Sequence, residues 1–312
     1  MIGFDIGGTK CAVSIGEEIG EKLTINDKKV IETDKNLSPY EIIEKMCELA
    51  EKMTDDFSKI GISCGGPLDS KNGIILSPPN LPGWDNIKIV EYLKNRYNGH
   101  VALQNDANAC AVAEWKYGAG RGCENMIFMT FGTGLGAGLI LNGKLYSGAN
   151  DMAGEAGHLR LSKFGPVGYG KAGSFEGFCS GSGIAQLGQM YAREKLQMGK
   201  KVSFCDDFNK INDITAKSIA EFANKGEADA IEIYNICGQM LGKGLSVLID
   251  VLNPERIVLG SIFARCENLL REPMEKVLKK ECLSASLDTC KIVSAELKEN
   301  IGDYAALSVA AM

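Results

Sequence analysis

The chain lacks several of the residues and strings that mark common protein classes. Basic residues are outnumbered, with 34 Lys plus Arg against 40 Asp plus Glu and a net charge of −6. That balance argues against a nucleic-acid footprint, which needs a basic face. No apolar run reaches the ~18 residues that a membrane-spanning helix needs. No G-x-x-x-x-G-K-S/T string occurs, which excludes a P-loop nucleotide site. Eleven cysteines are present, but none are spaced C-x-x-C, and the number is odd. Most lie within apolar segments, where a free thiol behaves as a small hydrophobe. They read as buried thiols in a reducing cytoplasm rather than as a zinc site or a disulfide framework. A strand motif begins at Ile2, so no signal peptide is expected. Histidine occurs only twice, as His100 and His158.

Against these absences stands one repeated feature. Phe4-Asp5-Ile6-Gly7-Gly8-Thr9-Lys10 is an apolar strand followed by a glycine turn, and a second apolar run follows from Cys11. The pattern returns at Met129-Thr130-Phe131-Gly132-Thr133-Gly134, where Asp5 aligns with Thr130 and Gly7 with Gly132. Glycine lets backbone N–H groups turn toward an anion with no Cβ in the way. Two such turns suggest two jaws on one polyphosphate. An ordinary hairpin turn also explains either copy taken alone.

The chain's 312 residues suggest two domains. Residues 2–6 and 11–16 read as a strand hairpin. Ser38-Pro39-Tyr40-Glu41 is a capping box with proline at the first helical position. Residues 59–64 read as a buried strand, 70–86 as a loop, 87–97 as a short helix and 101–104 as a strand. An alanine-rich helix opens at Asn105-Asp106. Residues 125–131 form a further strand. Residues 148–183 read as loops, 213–253 as largely helical, 255–259 as a strand, and 303–312 as a helix that packs back on the first domain. Alternating strands and helices imply an α/β fold with mixed sheets. The expected division is a smaller domain of residues 1–106 with 303–312, and a larger one of 107–302.

Two glycine strings, Gly132-x-Gly134-x-x-Ala137 and Gly168-x-Gly170-x-x-Gly173, fit the loose dinucleotide fingerprint. Neither is followed by the helix that fingerprint needs. Asp5-x-Gly7-Gly8-Thr9-Lys10 is more specific. Backbone N–H groups and the Thr9 and Thr133 hydroxyls can hold phosphate oxygens, Lys10 adds positive charge, and Asp5 can hold Mg²⁺ through water. Asp106 is either a helix N-cap or a base that accepts a hydroxyl proton. Glu155 and His158, in Gly154-Glu155-Ala156-Gly157-His158, are either loop residues satisfied by backbone or a polar pair for vicinal sugar hydroxyls. Glu176 can join them. His100 follows Gly99 and reads as solvated. Paired glycine hairpins of this kind resemble the actin-like ATPase superfamily.

The motifs in order resemble the ROK family of repressors, open reading frames and kinases. The resemblance covers Asp5–Lys10, Gly61–Asp69, Pro79–Trp84, Asn105–Ala109, Thr130–Gly134, Gly154–His158 and Pro254–Gly260. It implies a two-domain actin-like ATPase (ribonuclease H-like) fold with the active site in an interdomain cleft, and ATP-dependent phosphorylation of a hexose in the manner of a glucokinase. By that resemblance Asp106 is the catalytic base. Gly66, Asn80, Asn105, Glu155, His158 and Glu176 bind the sugar. Asp5, Gly7, Gly8, Thr9, Lys10, Thr130, Gly132, Thr133, Gly134 and Gly260 serve the nucleotide. ATP and Mg²⁺ are the implied cofactors, and a homodimer the implied assembly.

Many members carry cysteines where this chain has Val167, Tyr169 and Ser174. No structural zinc is therefore expected, and the loop is expected to be held by packing of Val167, Tyr169 and Phe175. Gly65-Gly66 replaces a more common Pro-Gly and is similar to N-acetylmannosamine kinases of the family. N-acetylmannosamine, N-acetylglucosamine and fructose thus stand beside glucose as substrates. The family's other branch, sugar-sensing regulators, carries an N-terminal helix-turn-helix, and here a strand motif begins at Ile2.

Overall fold

The computed structural model describes residues 1–312. In chain order it runs β1 (Ile2–Ile6), β2 (Lys10–Ile19), β3 (Lys22–Glu32), α1 (Pro39–Met53), β4 (Lys59–Cys64), the short β5 (Leu68–Asp69) and β6 (Ile74–Ile75), α2 (Ile89–Arg96), β7 (His100–Asn105) and α3 (Asp106–Tyr117). Next come β8 (Met126–Met129), β9 (Ala137–Leu141), β10 (Lys144–Leu145), β11 (Val167–Gly168), β12 (Lys171–Ala172), α4 (Phe175–Phe178) and α5 (Gly181–Gln197). The chain ends with α6 (Ala216–Ala223), α7 (Ala228–Leu252), β13 (Arg256–Leu259), α8 (Ile262–Glu281), α9 (Ser284–Thr289), β14 (Lys291–Ser294) and α10 (Ile301–Ala310). Two compact units result. The first holds residues 1–128, 138–154 and 296–312, and the second holds 129–137 and 155–295.

The first unit is built on a five-stranded sheet in the order β3-β2-β1-β4-β7. β1, β2 and β3 pair antiparallel, while β1, β4 and β7 run parallel. Side chains alternate between the two faces. On one face Ile2, Phe4, Ile6, Ile60, Ile62, Val101 and Leu103 pack with Ile42, Ile43, Met46 and Cys47 of α1. α1 starts where the capping box places it: the Ser38 hydroxyl accepts from the Glu41 N–H, and the Glu41 carboxylate accepts from the Ser38 N–H.

The other face carries small residues, and α10 lies against it. A Cβ on Gly61 would fall 2.2 Å from both the Ala306 carbonyl oxygen and the Ala310 nitrogen, and one on Gly3 would fall 2.9 Å from Ala306 Cβ. Glycine at these positions is what lets helix and sheet backbones meet. Asp5 and Ser63 continue this face toward the ends of the parallel strands, where they sit side by side. In open α/β sheets ligands bind beyond those strand ends.

The second unit pairs β13 with β14 in parallel; α5, α6 and α7 pack on one another, α7 packs on α8, and α8 meets β14. α5 and α8 add helices that periodicity did not predict, and so does strand β3 in the first unit. The span 148–183, expected to be loop throughout, also contains β11, β12, α4 and the start of α5.

Candidate active site

In the first unit the β1–β2 turn is braced from several sides. The Gly7 N–H donates to the Lys10 carbonyl at 3.1 Å, and the Thr33 N–H donates to the Thr9 carbonyl at 2.9 Å. The Thr33 hydroxyl donates to the Gly7 carbonyl at 2.7 Å. A Cβ on Gly8 would lie 2.3 Å from the Asn80 carbonyl oxygen. The turn and the Asn80 loop therefore share one surface, with Thr9 and Lys10 exposed beside it.

Asp5 stands at the end of β1, flanked by other carboxylates. Burial, then the negative charges of Asp106 and Asp303, push its pKa from the ordinary 3.8 up to about 7; the positive charge of Lys28 and the Ser63 hydroxyl act the other way. Asp303 is itself buried, accepting from the Ser14 hydroxyl at 2.7 Å and from the Lys28 ammonium at 2.7 Å. No sequence signal marked this Ser14–Lys28–Asp303 group, because its members come from β2, β3 and α10.

Asp106 is the first residue of α3, and the N-cap is Asn105. The Asn105 side-chain oxygen accepts from the N–H groups of Ala107 at 3.0 Å and Asn108 at 3.4 Å. The capping reading of Asp106 is thus corrected: the cap is taken by its neighbour, and the Asp106 carboxylate accepts from the adjacent Ala107 N–H at 2.8 Å. Asp106 keeps an open edge to solvent while protein crowds its carboxyl on the other sides. That crowding raises its pKa, opposed by the N–H groups of Ala107 and Asp106 and by the Asn105 amide. Gly65 and Gly66 come close by. A Cβ on Gly66 would sit 3.2 Å from Asn105 Nδ2, and one on Gly65 would sit 3.9 Å from Asp106 Oδ2. Gln104, which sequence reasoning missed, fixes this corner by accepting from the Asn105 N–H at 2.8 Å and from Asn108 Nδ2 at 3.1 Å.

The second unit holds the other glycine turn. The Thr130 N–H donates to the Gly136 carbonyl, the Gly136 N–H donates back to the Thr130 hydroxyl, and the Gly132 N–H donates to the Gly134 carbonyl, all at 2.9 Å. Thr133 is left exposed at the tip. The Gly260 N–H donates to the Met129 carbonyl at 2.9 Å, and the start of α5 meets the turn where the Gly181 N–H donates to the Gly132 carbonyl at 2.8 Å. Glu155 and His158 bracket a single 3₁₀ turn. Glu176, on α4, reaches the glycine turn itself and accepts from the Leu135 N–H at 3.0 Å. Thr130, Gly132, Thr133, Gly134 and Gly260 are therefore neighbours, and Glu176 touches the same turn.

The loop between them is not held as expected. Phe175 is fully buried, but Val167 is 45% and Tyr169 69% exposed. Hydrogen bonds replace the anticipated packing. Gln186 both donates to and accepts from the Val167 backbone at 2.9 Å, Arg160 donates to the Ala172 carbonyl at 2.6 Å, and Lys171 donates to the His158 carbonyl at 2.6 Å. Tyr169 instead meets the His158 ring edge-on, with centroids 5.4 Å apart. No group of three or more His, Cys, Asp or Glu side chains is placed to hold a metal ion directly.

An α/β fold with mixed sheets, and a braced glycine turn in each of the two units, are the marks of the two-domain actin-like ATPase fold. Within that class the chain belongs to the ROK family, whose model matches residues 1–311. It is 30% identical over 310 residues to a glucokinase of Halalkalibacterium halodurans, covering 96% of this chain and 92% of that one. It superposes with a TM-score of 0.75 and 27% identity on a ROK family glucokinase from Streptomyces griseus in complex with glucose and AMPPNP, covering 98% and 97% of the two chains. It is also 25% identical over 304 residues to a xylose repressor of Caldicellulosiruptor bescii, covering 96% of this chain and 75% of the repressor.

Proposed function

We propose that this chain is an ATP-dependent sugar kinase that phosphorylates a hexose hydroxyl, with glucose as substrate and glucose 6-phosphate as product. The observation that carries the reading is Asp106. It is a solvent-open carboxylate at the head of α3, with its pKa raised by the protein around it and its backbone fixed by the Asn105 cap. Phosphoryl transfer passes through a loose transition state, so a positioned carboxylate that accepts the hydroxyl proton late is sufficient. A raised pKa makes it a better acceptor at neutral pH. The Asn105 oxygen caps the helix, and its amide NH₂, with one N–H toward Asp106, has a second N–H for a sugar oxygen. Gly66 and Asn80 line the sugar loop, and Glu155, His158 and Glu176 take the remaining sugar hydroxyls.

The backbone of Gly7, Gly8, Gly132 and Gly134, with Thr9, Lys10, Thr130 and Thr133, serves the phosphates, and Gly260 lies toward the nucleoside. Asp5, crowded by two other carboxylates, fits a hard cation held through water; no three carboxylates lie close enough to bind one directly. Mg²⁺ bound there would neutralise charge developing on the phosphates. The acidic net charge favours small-molecule partners over nucleic acid. The eleven free thiols suit a reducing cytoplasm. A homodimer is the proposed assembly.

N-acetylmannosamine is the alternative substrate that Gly65-Gly66 favours, since glycine in place of proline at 65 leaves no side chain beside Asp106. A sugar-sensing regulator is the rival class, and the likeness to the xylose repressor is what speaks for it. One experiment separates these readings. ADP release is followed by a coupled assay over a dozen sugars, including glucose, the two N-acetylhexosamines and fructose. Turnover with one hexose supports the kinase, and silence with all of them refutes it. Asp106→Asn is expected to keep nucleotide binding and lower turnover by about 10³-fold. Near-normal turnover in that variant removes Asp106 from the mechanism.

A further inference from the structure

We infer that Glu176 is a positioning residue for the second glycine turn, and that through it sugar binding and nucleotide binding strengthen one another. The inference rests on the kinase reading, in which one end of Glu176 faces a sugar. Its two carboxylate oxygens have different tasks. Oε2 accepts the Leu135 N–H at 3.0 Å, and a Cβ on Gly134 would fall 2.8 Å from the same oxygen. Oε1 makes no hydrogen bond within the protein and is available to a sugar hydroxyl.

The backbone and Cβ of Glu176 are fixed, so the orientation of its carboxylate is set by the groups that its two oxygens meet. Its backbone is fixed by α4, where the Ser174 hydroxyl caps the helix by accepting the Gly177 N–H at 3.0 Å. The preceding residue, Phe175, is fully buried against α7, and a Cβ on Gly244 would lie 2.4 Å from its ring. The Glu176 Cβ threads between two glycines. A Cβ on Gly168 would approach it to 2.9 Å and one on Gly157 to 3.3 Å.

The arm of the turn is closely packed on its other side as well. A Cβ on Gly157 would lie 2.2 Å from the Leu135 carbonyl oxygen. Leu135 thus donates its N–H to Glu176, and its carbonyl lies close against the backbone of Gly157, next to His158. The segment expected to read the sugar and the turn expected to read the phosphates form one packed block.

A hydroxyl donated to Oε1 orders the carboxylate and with it the Oε2 bond to Leu135. A nucleotide arriving afterwards finds the turn already ordered and loses less conformational freedom. By linkage the nucleotide raises sugar affinity by the same factor. A coupling of about tenfold lies within the usual range for two sites.

The test is calorimetric titration of the whole protein with AMPPNP and Mg²⁺, without sugar and with saturating glucose, and with N-acetylmannosamine in a parallel arm. Three variants are compared: Glu176→Ala, Glu176→Gln and His158→Ala. Glu176→Ala is expected to weaken sugar-free AMPPNP binding about tenfold, a loss a mere sugar ligand does not cause. His158→Ala is expected to leave sugar-free AMPPNP binding unchanged. Glu176→Gln retains an acceptor for Leu135. It is expected to bind AMPPNP within about twofold of wild type and to lose the tightening by sugar, which also keeps the test valid if the alanine variant does not fold. Wild-type AMPPNP affinity in folded Glu176→Ala, or undiminished tightening by sugar in Glu176→Gln, overturns the inference. Weakened nucleotide binding in Glu176→Ala together with no turnover of any hexose upholds the turn-holding role and refutes the kinase reading instead. A wild-type protein that does not bind AMPPNP refutes both.

Discussion

The raised pKa of Asp5 makes the ligand-free protein less stable as pH rises. Unfolded, this carboxyl titrates at the ordinary 3.8, whereas in the fold it titrates at about 7. Between those values the folded state binds the extra proton, so stability falls with increasing pH. The favourable contribution is complete below about pH 4 and is lost as pH passes through about 7. The displacement corresponds to about 4 kcal/mol, an upper figure because water can enter around an ionised group. Asp5→Asn removes the titration and keeps the shape. The assay is urea denaturation of both proteins from pH 4 to pH 8, without nucleotide or Mg²⁺. Surface carboxylates with lowered pKa values, such as Glu41 and Glu51, tilt both curves the opposite way and cancel in the difference. Asp106, also raised by its crowding, leaves a smaller slope of the same sign in the variant. The expected result is that Asp5→Asn gains on wild type from pH 4 to about pH 7 and levels off by pH 8, while losing turnover. Parallel stability curves for the two proteins would refute the reasoning.

Two further perturbations test the scaffold. Gly61→Ala drives a methyl group into the Ala306 carbonyl and the Ala310 nitrogen of α10, and about 3 kcal/mol of stability should be lost, measurable as a lower urea midpoint with an unchanged slope. Lys28→Met leaves the buried Asp303 carboxylate with the Ser14 hydroxyl but without its cation. Since Lys28 is 42% exposed, solvent screens the pair, and the expected loss is about 1–2 kcal/mol rather than that of a fully buried one. The same denaturation series reads it, and no loss at low salt would mean that the pair contributes nothing.

Where local chemistry decided the structure, the sequence could be read directly. The capping box at Ser38, the buried strand at Lys59–Cys64 and the glycine turn at Gly7 each carry their cause within a few residues. β3 was invisible because Leu23 alone among its residues is buried, so no alternation marks it. α8 was hidden by Pro273 inside it and by the break in helical geometry at Cys266. α5 opens with Ser180-Gly181-Ser182-Gly183, which reads as more loop. In the candidate site, the residue types at Asn105-Asp106 were legible, but which of them caps the helix depends on backbone angles. Asp303 was beyond reach, since its meaning comes from Ser14 and Lys28, far away in the chain. The loop at Val167–Phe175 misled because an apolar residue type does not say which way its side chain points.

The docking of α10 on β1 and β4 has a consequence for biosynthesis. The sheet of the first unit is translated early, yet the helix that covers its Gly3 and Gly61 face leaves the ribosome only after the entire second unit has been made. The nascent first unit must therefore wait with the Gly3 and Gly61 part of its sheet uncovered by α10 while the second unit is made. In this chain the order of synthesis and the order of completion are reversed, and a chaperone acting on the nascent protein would find its target on that uncovered face.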